Sequence, residues 1–349
     1  MIQPILFLVF SLFMILASAE FFTNGVESFG RRLSLSQAVV GSILAAIGTA
    51  LPETILPLVA ILLHGDATAR KIGVGAILGA PFMLSTLAFF VVGLAVLISM
   101  LRKKRKFVIY ADAACVRRDL LFFAVMYSAA IFLPFLVPHA HFLIAAVLAC
   151  GYVLYVYSTF KAESADILHA EQLHFEKLIA DFRRLAGMRL RSARPDPHKT
   201  TSFTLICVQI AASLAVMVGG AHIFVGSLEK LSASFGMSPL LFALLVAPVA
   251  TELPEKFNSM TWTLKGRDTL AMGNITGAMV FQATFPVSVG LLFTDWSISG
   301  MALFSAVLAL ISTLIVLANI KLSGKISPAT MLFGGAIYAI FAFAIVMLK

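Results

Sequence analysis

The sequence predicts an all-α polytopic membrane protein: ten transmembrane helices in two inverted five-helix repeats. Three observations carry that prediction. Of 349 residues, 60% are hydrophobic and only 12% are charged, with a mean hydropathy of +0.98, far from the composition of soluble domains. Ten apolar runs approach the roughly 20 residues that an α-helix needs to cross about 30 Å of hydrocarbon. The two halves of the chain also match one another at a nearly constant spacing, the mark of a duplicated unit.

The runs lie at 4–24, 36–63, 72–100, 119–137, 141–160, 202–228, 238–264, 269–294, 299–320 and 327–348. The first ends in Ala17-Ser18-Ala19, similar to a signal-peptidase site, but no Lys or Arg precedes it, so it is expected to remain as a span. The second, third, seventh and eighth are long and contain Pro52, Pro57, Gly79, Pro81, Pro248, Pro254, Gly277 and Pro286. These four are expected to bend or partly unwind, which lipid tolerates only where irregular backbone faces protein or a wet cavity. The chain then divides into a first repeat core at 1–100, the fourth and fifth spans at 101–160, and a polar loop at 161–201. A second repeat core at 202–295 and the last two spans at 296–349 complete it.

Charge gives the orientation. Twenty-one Lys and Arg fall on one side of the alternating spans, among them Arg102 to Lys106 and the eight of the 161–201 loop. Only Arg70, Lys71, Lys230 and Lys349 fall on the other, and Lys256 lies within a span. The excess of basic residues places those loops in the cytoplasm and both termini outside, in a plasma or inner membrane. The net charge of +9 is therefore topological, with the lipid bilayer as its partner and no nucleic acid implied. The 161–201 loop, with eight basic and six acidic residues, reads as a solvated amphipathic helix plus linker. Cys115, Cys150 and Cys207 form no CxxC pair, which excludes a disulfide framework or thiolate metal centre as the organising device. The chain has no HExxH, no GxSxG and no paired intramembrane aspartates, so it is not expected to be an enzyme.

Residues 36–54, SQAVVGSILAAIGTALPET, match residues 238–256, SPLLFALLVAPVATELPEK, at an offset of 202. The match pairs Thr49 with Thr251, Pro52 with Pro254 and Glu53 with Glu255. In the following spans, GAILGAPFM at 75–83 matches GNITGAMVF at 273–281 at an offset of 198. Five spans separate equivalent points, and five is odd. The copies must enter the membrane from opposite sides, an arrangement that places a substrate site near the midplane where broken helices meet.

Glu53 and Glu255 are each the 18th residue of a run of about 27, which at about 1.5 Å per residue puts both near the bilayer centre. An ionised carboxylate there costs several kcal/mol unless it is paired, hydrated or bound to a cation. Pro52 and Pro254 free carbonyl oxygens one turn back, near Thr49 and Thr251. Carboxylates, hydroxyls and carbonyls are hard oxygen ligands suited to Na⁺ or Ca²⁺. The plain alternative is that each Glu is a protonated hydrogen bonder between helices, and the matched pair argues against it. Glu252 has two readings: a third ligand, or the i,i+4 partner of Lys256.

These residues resemble the α-repeats of the calcium/cation antiporter superfamily, the sodium/calcium exchangers, whose signature is close to G-T-S-L-P-E followed by G-N-x-x-G-S-N. The first copy here is Gly48-Thr49-Ala50-Leu51-Pro52-Glu53, and the second is Ala250-Thr251-Glu252-Leu253-Pro254-Glu255. The resemblance covers both halves, roughly 10–100 and 212–295. It implies secondary active antiport by alternating access, with inorganic cations as substrates: Ca²⁺ exchanged for Na⁺, or in the alternative for H⁺, and no resident cofactor. It maps the ion site onto Glu53, Glu255, Thr49, Thr251 and Asn274, with Glu252 as a candidate addition. The pattern departs at Ala76, Ala80, Pro81, Ala278 and Met279, where the family's amide and hydroxyl ligands are expected.

Overall fold

The computed structural model describes residues 2–33, 50–162, 173–175, 178 and 202–347, leaving aside the side chains at 31, 160–162, 253–255 and 346. Helix dominates these residues. In chain order they form α1 (Ile2–Arg32) and α2 (Leu51–Leu58), which continues as a π-helical turn (Val59–His64). Next come α3 (Ala67–Met83), a second π-helical turn (Leu84–Ala88), α4 (Phe89–Leu101), α5 (Ala113–Leu136) and α6 (His141–Ala162). The second half holds α7 (Phe203–Phe235), α8 (Pro239–Leu264), α9 (Asp268–Gln282), α10 (Phe285–Phe293), α11 (Gly300–Ser323) and α12 (Pro328–Met347). Among the described residues, eight helical stretches are long and apolar enough to cross a membrane, and Leu51–His64 and Pro239–Glu252 are shorter apolar helices. The eight fall on eight of the runs read from the sequence, and the two shorter helices overlap the runs at 36–63, of which 36–49 lie outside the described residues, and 238–264. Large apolar side chains such as Phe13, Phe142, Val153 and Phe343 stand exposed, an exterior suited to lipid. The molecule is an all-α polytopic membrane protein.

Two apolar cores hold the bundle. One joins α1 and α7, which run along each other, to parts of α2, α3 and α8 through Ile15, Phe22, Leu56, Phe224 and Leu228. The other fills the space among α3, α4, α5, α6 and α9 to α12. At the centre α3 lies on α8. A Cβ added to Gly75 or Gly79 would come within 2.2 Å of the carbonyl oxygens of Leu240 and Leu244. Backbones can approach this closely only at small residues, a common packing device between membrane helices.

The expected helix breaks are partly met. In the third span the backbone widens into the π turn after Pro81, where the Ser85 hydroxyl donates to the Pro81 carbonyl at 2.8 Å. The eighth span breaks at Ala283-Thr284, ahead of Pro286, and Thr284 donates back to the Val280 carbonyl at 2.8 Å. The seventh corrects the expectation: α8 stays helical from 239 to 264 through both prolines. Pro248 leaves the Leu244 carbonyl without its usual helical donor, and that carbonyl is the one pressed against Gly79. Neighbouring backbone thus absorbs the irregularity, as membrane helices permit.

Candidate functional site

Glu53 stands in the first turn of α2, after Pro52, where Ala50 (φ −84°, ψ 0°) leaves the helical conformation. A carboxylate in a first helical turn gains from the positive end of the helix dipole. Its residue is buried, at 8% exposure. Beside it the Thr54 hydroxyl donates to the Ala50 carbonyl at 2.7 Å, closing the turn that carries Glu53. Thr49, the other predicted ligand of this copy, lies outside the described residues.

In the second copy Thr251 is buried and donates to the Ala247 carbonyl at 3.1 Å, a bond within its own helix. Glu252 and Lys256 are each 2% exposed, and the Lys256 Nζ lies 3.9 Å from Glu252 Oε2. Of the two readings of Glu252, the i,i+4 partnership with Lys256 has its geometry here: the lysine is a charge partner, at a separation longer than a hydrogen bond. At an effective dielectric near 20 the attraction is about 4 kcal/mol, and burial of two ions offsets most of it. Stability alone is therefore a weak reason for such a pair. The backbone of Glu255 continues α8, while its side chain lies outside the described residues.

Asn274 belongs to α9 and donates its amide to the Ser259 hydroxyl on α8 at 3.2 Å. Glu252, Lys256 and Ser259 follow i, i+4 and i+7 spacing, so they share one helix face. The structure thereby connects Asn274 to the stripe that carries Glu252, through Ser259. Ala76 and Ala80 on α3 are buried and offer only methyl groups where oxygen ligands are expected. Among the described residues no three His, Cys, Asp or Glu side chains cluster as a metal site.

Two further polar clusters bear on how these helices are held. Asp119 on α5 is buried, accepts from Arg118 Nη2 at 2.9 Å and from the Thr276 hydroxyl at 2.7 Å. With Asn274 bonded to α8 and Thr276 to α5, α9 is held on two sides. An acid within an apolar span signals function by default, and Asp119 opens the run at 119–137 directly after the basic pair Arg117 and Arg118, at a boundary where charge is expected. The second cluster is a clasp that ties the segment after α4 to the end of α8 and the start of α9. Arg105 Nη1 donates to Asp268 Oδ1 at 2.9 Å and to the Thr263 carbonyl at 3.1 Å, and Arg105 Nη2 pairs with Asp268 Oδ2. The amide of Tyr110 adds a bond to Asp268 at 2.7 Å. Hydrogen bonding to this buried carboxylate raises the Arg105 pKa above its ordinary value.

The sodium/calcium exchanger protein family matches this chain over residues 3–161 and 205–347. A protein named as an antiporter, CaxA of Alkalimonas amylolytica, is 26% identical, with 98% of this chain and 100% of that protein covered. The inner membrane protein YrbG of Escherichia coli (strain K12) is 25% identical over 84% of this chain and 81% of its own. Among solved structures, the H⁺/Ca²⁺ exchanger CAX superposes with a TM-score of 0.70 at 18% identity, covering 99% of this chain and 86% of that one. The sodium-calcium exchanger NCX_Mj gives 0.57 at 21%, covering 99% and 98%. These likenesses support the helical fold, and the match over both halves decides the family: the chain belongs to the sodium/calcium exchanger protein family, whose members are membrane cation antiporters.

Proposed function

We propose that the chain exchanges Ca²⁺ for Na⁺ by alternating access, around a midplane site formed by Glu53, Glu255, Thr49, Thr251 and Asn274, with Glu252 beside them. The observation that carries this reading is the burial of acidic residues, Glu53 in α2 and Glu252 in α8, inside a bundle with an apolar exterior. Empty, such a site holds uncompensated negative charge in a low dielectric, so its reorientation is unfavourable until cations balance it. Exchange follows from that cost. The α1–α7 pair, which shares its apolar core with parts of α2, α3 and α8, is the element that rocks against the rest. The basic loops face the cytoplasm and both termini the outside.

A second reading, exchange of Ca²⁺ for protons, is favoured by one observation. Buried Ala76 and Ala80 supply no side-chain oxygen for Na⁺, whereas glutamates carry protons readily. Purified protein in liposomes separates the readings through Ca²⁺ uptake against an imposed Na⁺ gradient and then against an imposed pH gradient. Uptake with Na⁺ alone supports the first and uptake with protons alone the second. Absence of uptake with both contradicts the exchanger function.

A further inference from the structure

Two histidines, His64 and His222, take no part in the exchange scheme above. His64 ends the π-helical turn that follows α2, and His222 lies within α7. Their rings stack with centroids 4.0 Å apart and planes 26° from parallel, and His64 Nε2 lies 3.2 Å from the His222 carbonyl oxygen. A carbonyl only accepts, so this bond needs the Nε2–H tautomer and leaves Nδ1 as the place for a further proton. The contact links the pair assigned to rock with the element that carries Glu53. His222 is exposed and His64 half-buried, and in the orientation argued above this end of α2 faces the outside, where water supplies protons.

On the elements packed against the two rings, the acidic and basic side chains are Glu53 at the far end of α2, Asp66 beside His64, Arg70 and Lys71 on α3, and Glu229 and Lys230 two turns along α7. Helix α10, α1 up to Ala19 and α8 up to Thr251 contribute none. The Asp66 carboxylate attracts a charged His64. One proton is therefore accommodated, whereas a second sets two cations ring on ring, and like charges at that separation repel. We propose that the His64–His222 stack is a pH-sensitive fastener on the outer side: it holds the α1–α7 pair against α2 and releases it when both rings are protonated. Outer acidity then sets how readily the protein leaves this conformation, an inference that rests on the antiport reading above for what the motion serves.

Spin labels on Ala67→Cys at the start of α3 and Ala233→Cys near the end of α7, both exposed positions, read the separation by electron–electron resonance. The full chain is placed in nanodiscs, with Cys115→Ser, Cys150→Ser and Cys207→Ser removing the native thiols. Between about pH 8 and about pH 5.5, which bracket the imidazole range, the contact distance is expected to give way to a second one. The stacked form binds one proton fewer, so its share relative to the released form falls by up to about tenfold per pH unit below about 6.5. His222→Phe keeps a ring on His64 but takes up no proton, and is expected to hold the contact distance throughout. His174→Gln, on the polar loop, should respond as the wild type does. Should His222→Phe fail to fold, His64→Gln serves, since its amide still donates to the carbonyl and does not titrate. Distances indifferent to pH in the wild type overturn the fastener and leave antiport intact, as does an acid shift that survives in His222→Phe or vanishes in His174→Gln. A shift of the expected kind in a protein that takes up no Ca²⁺ under a Na⁺ or a proton gradient overturns the antiport reading and leaves the fastener.

Discussion

The Thr276 hydroxyl on α9 donates to the buried Asp119 carboxylate on α5 at 2.7 Å. Arg118 holds the other carboxylate oxygen, so both oxygens of Asp119 are engaged. Thr276 is two residues from Asn274, whose amide reaches α8, and the helix that presents Asn274 is thereby fixed from both flanks.

Thr276→Val removes one donor to Asp119 with little change in shape. Hydrogen bonds between membrane helices are worth about 1 kcal/mol, so a modest fall in the midpoint of thermal unfolding in detergent is expected. Asp119→Ala leaves the Arg118 charge without its partner and should destabilise by about 3 kcal/mol. Equal effects of the two variants would contradict this ranking.

The Arg105 clasp is expected to behave as a unit. Arg105→Ala strands a buried Asp268 carboxylate, at a cost of about 3 kcal/mol. Arg105→Ala/Asp268→Ala should cost less than the sum of the two single changes, since each single variant already loses the shared bonds. Arg105→Lys keeps the charge and loses the two-pronged geometry. Proteolysis of the segment after α4 is expected to rise in the order wild type, Arg105→Lys, Arg105→Ala.

Gly79→Ala places a methyl group 2.2 Å from the Leu244 carbonyl oxygen and 2.7 Å from the Pro248 ring. Neither neighbour is a flexible side-chain end, so the helices must part, at about 2 kcal/mol or more. A clear loss of folded protein on size-exclusion chromatography checks it, and Gly75→Ala should act alike.

Asp66 caps α3 by accepting from the amides of Thr68 at 2.8 Å and Ala69 at 2.9 Å. The bond from Ala69, with help from Thr68, holds its carboxyl below the usual value of 3.8. A depressed folded-state pKa stabilises above the unfolded value and is lost as pH falls through the folded one. Asp66→Ala should therefore cost about 1 kcal/mol at neutral pH, and the gap to the wild type should narrow as pH drops below about 3.8. Unfolding midpoints over that acid range provide the measurement.

Composition and periodicity made the spans legible because a lipid environment leaves so few choices. The matched Thr-x-Leu-Pro-Glu contexts pointed to Glu53, and its burial follows. The i,i+4 relation of Glu252 and Lys256 was equally visible, since it depends on helix geometry alone. Proline misled in α8: its local cost was readable, but the Gly79 backbone that packs against the freed Leu244 carbonyl comes from a different helix. Arg105 and Asp268 are 163 residues apart, and no periodic pattern announces such a pairing. Asp119 was within reach, as an acid at the edge of an apolar run.

The most direct test is Ca²⁺ uptake into liposomes, driven by the coupling-ion gradient, for Glu53→Gln and Glu255→Gln, with folding verified by monodisperse elution. Both variants are expected to elute as the wild type does and to transport nothing. Uptake at the wild-type rate in both would contradict the assignment of the transport site to these carboxylates.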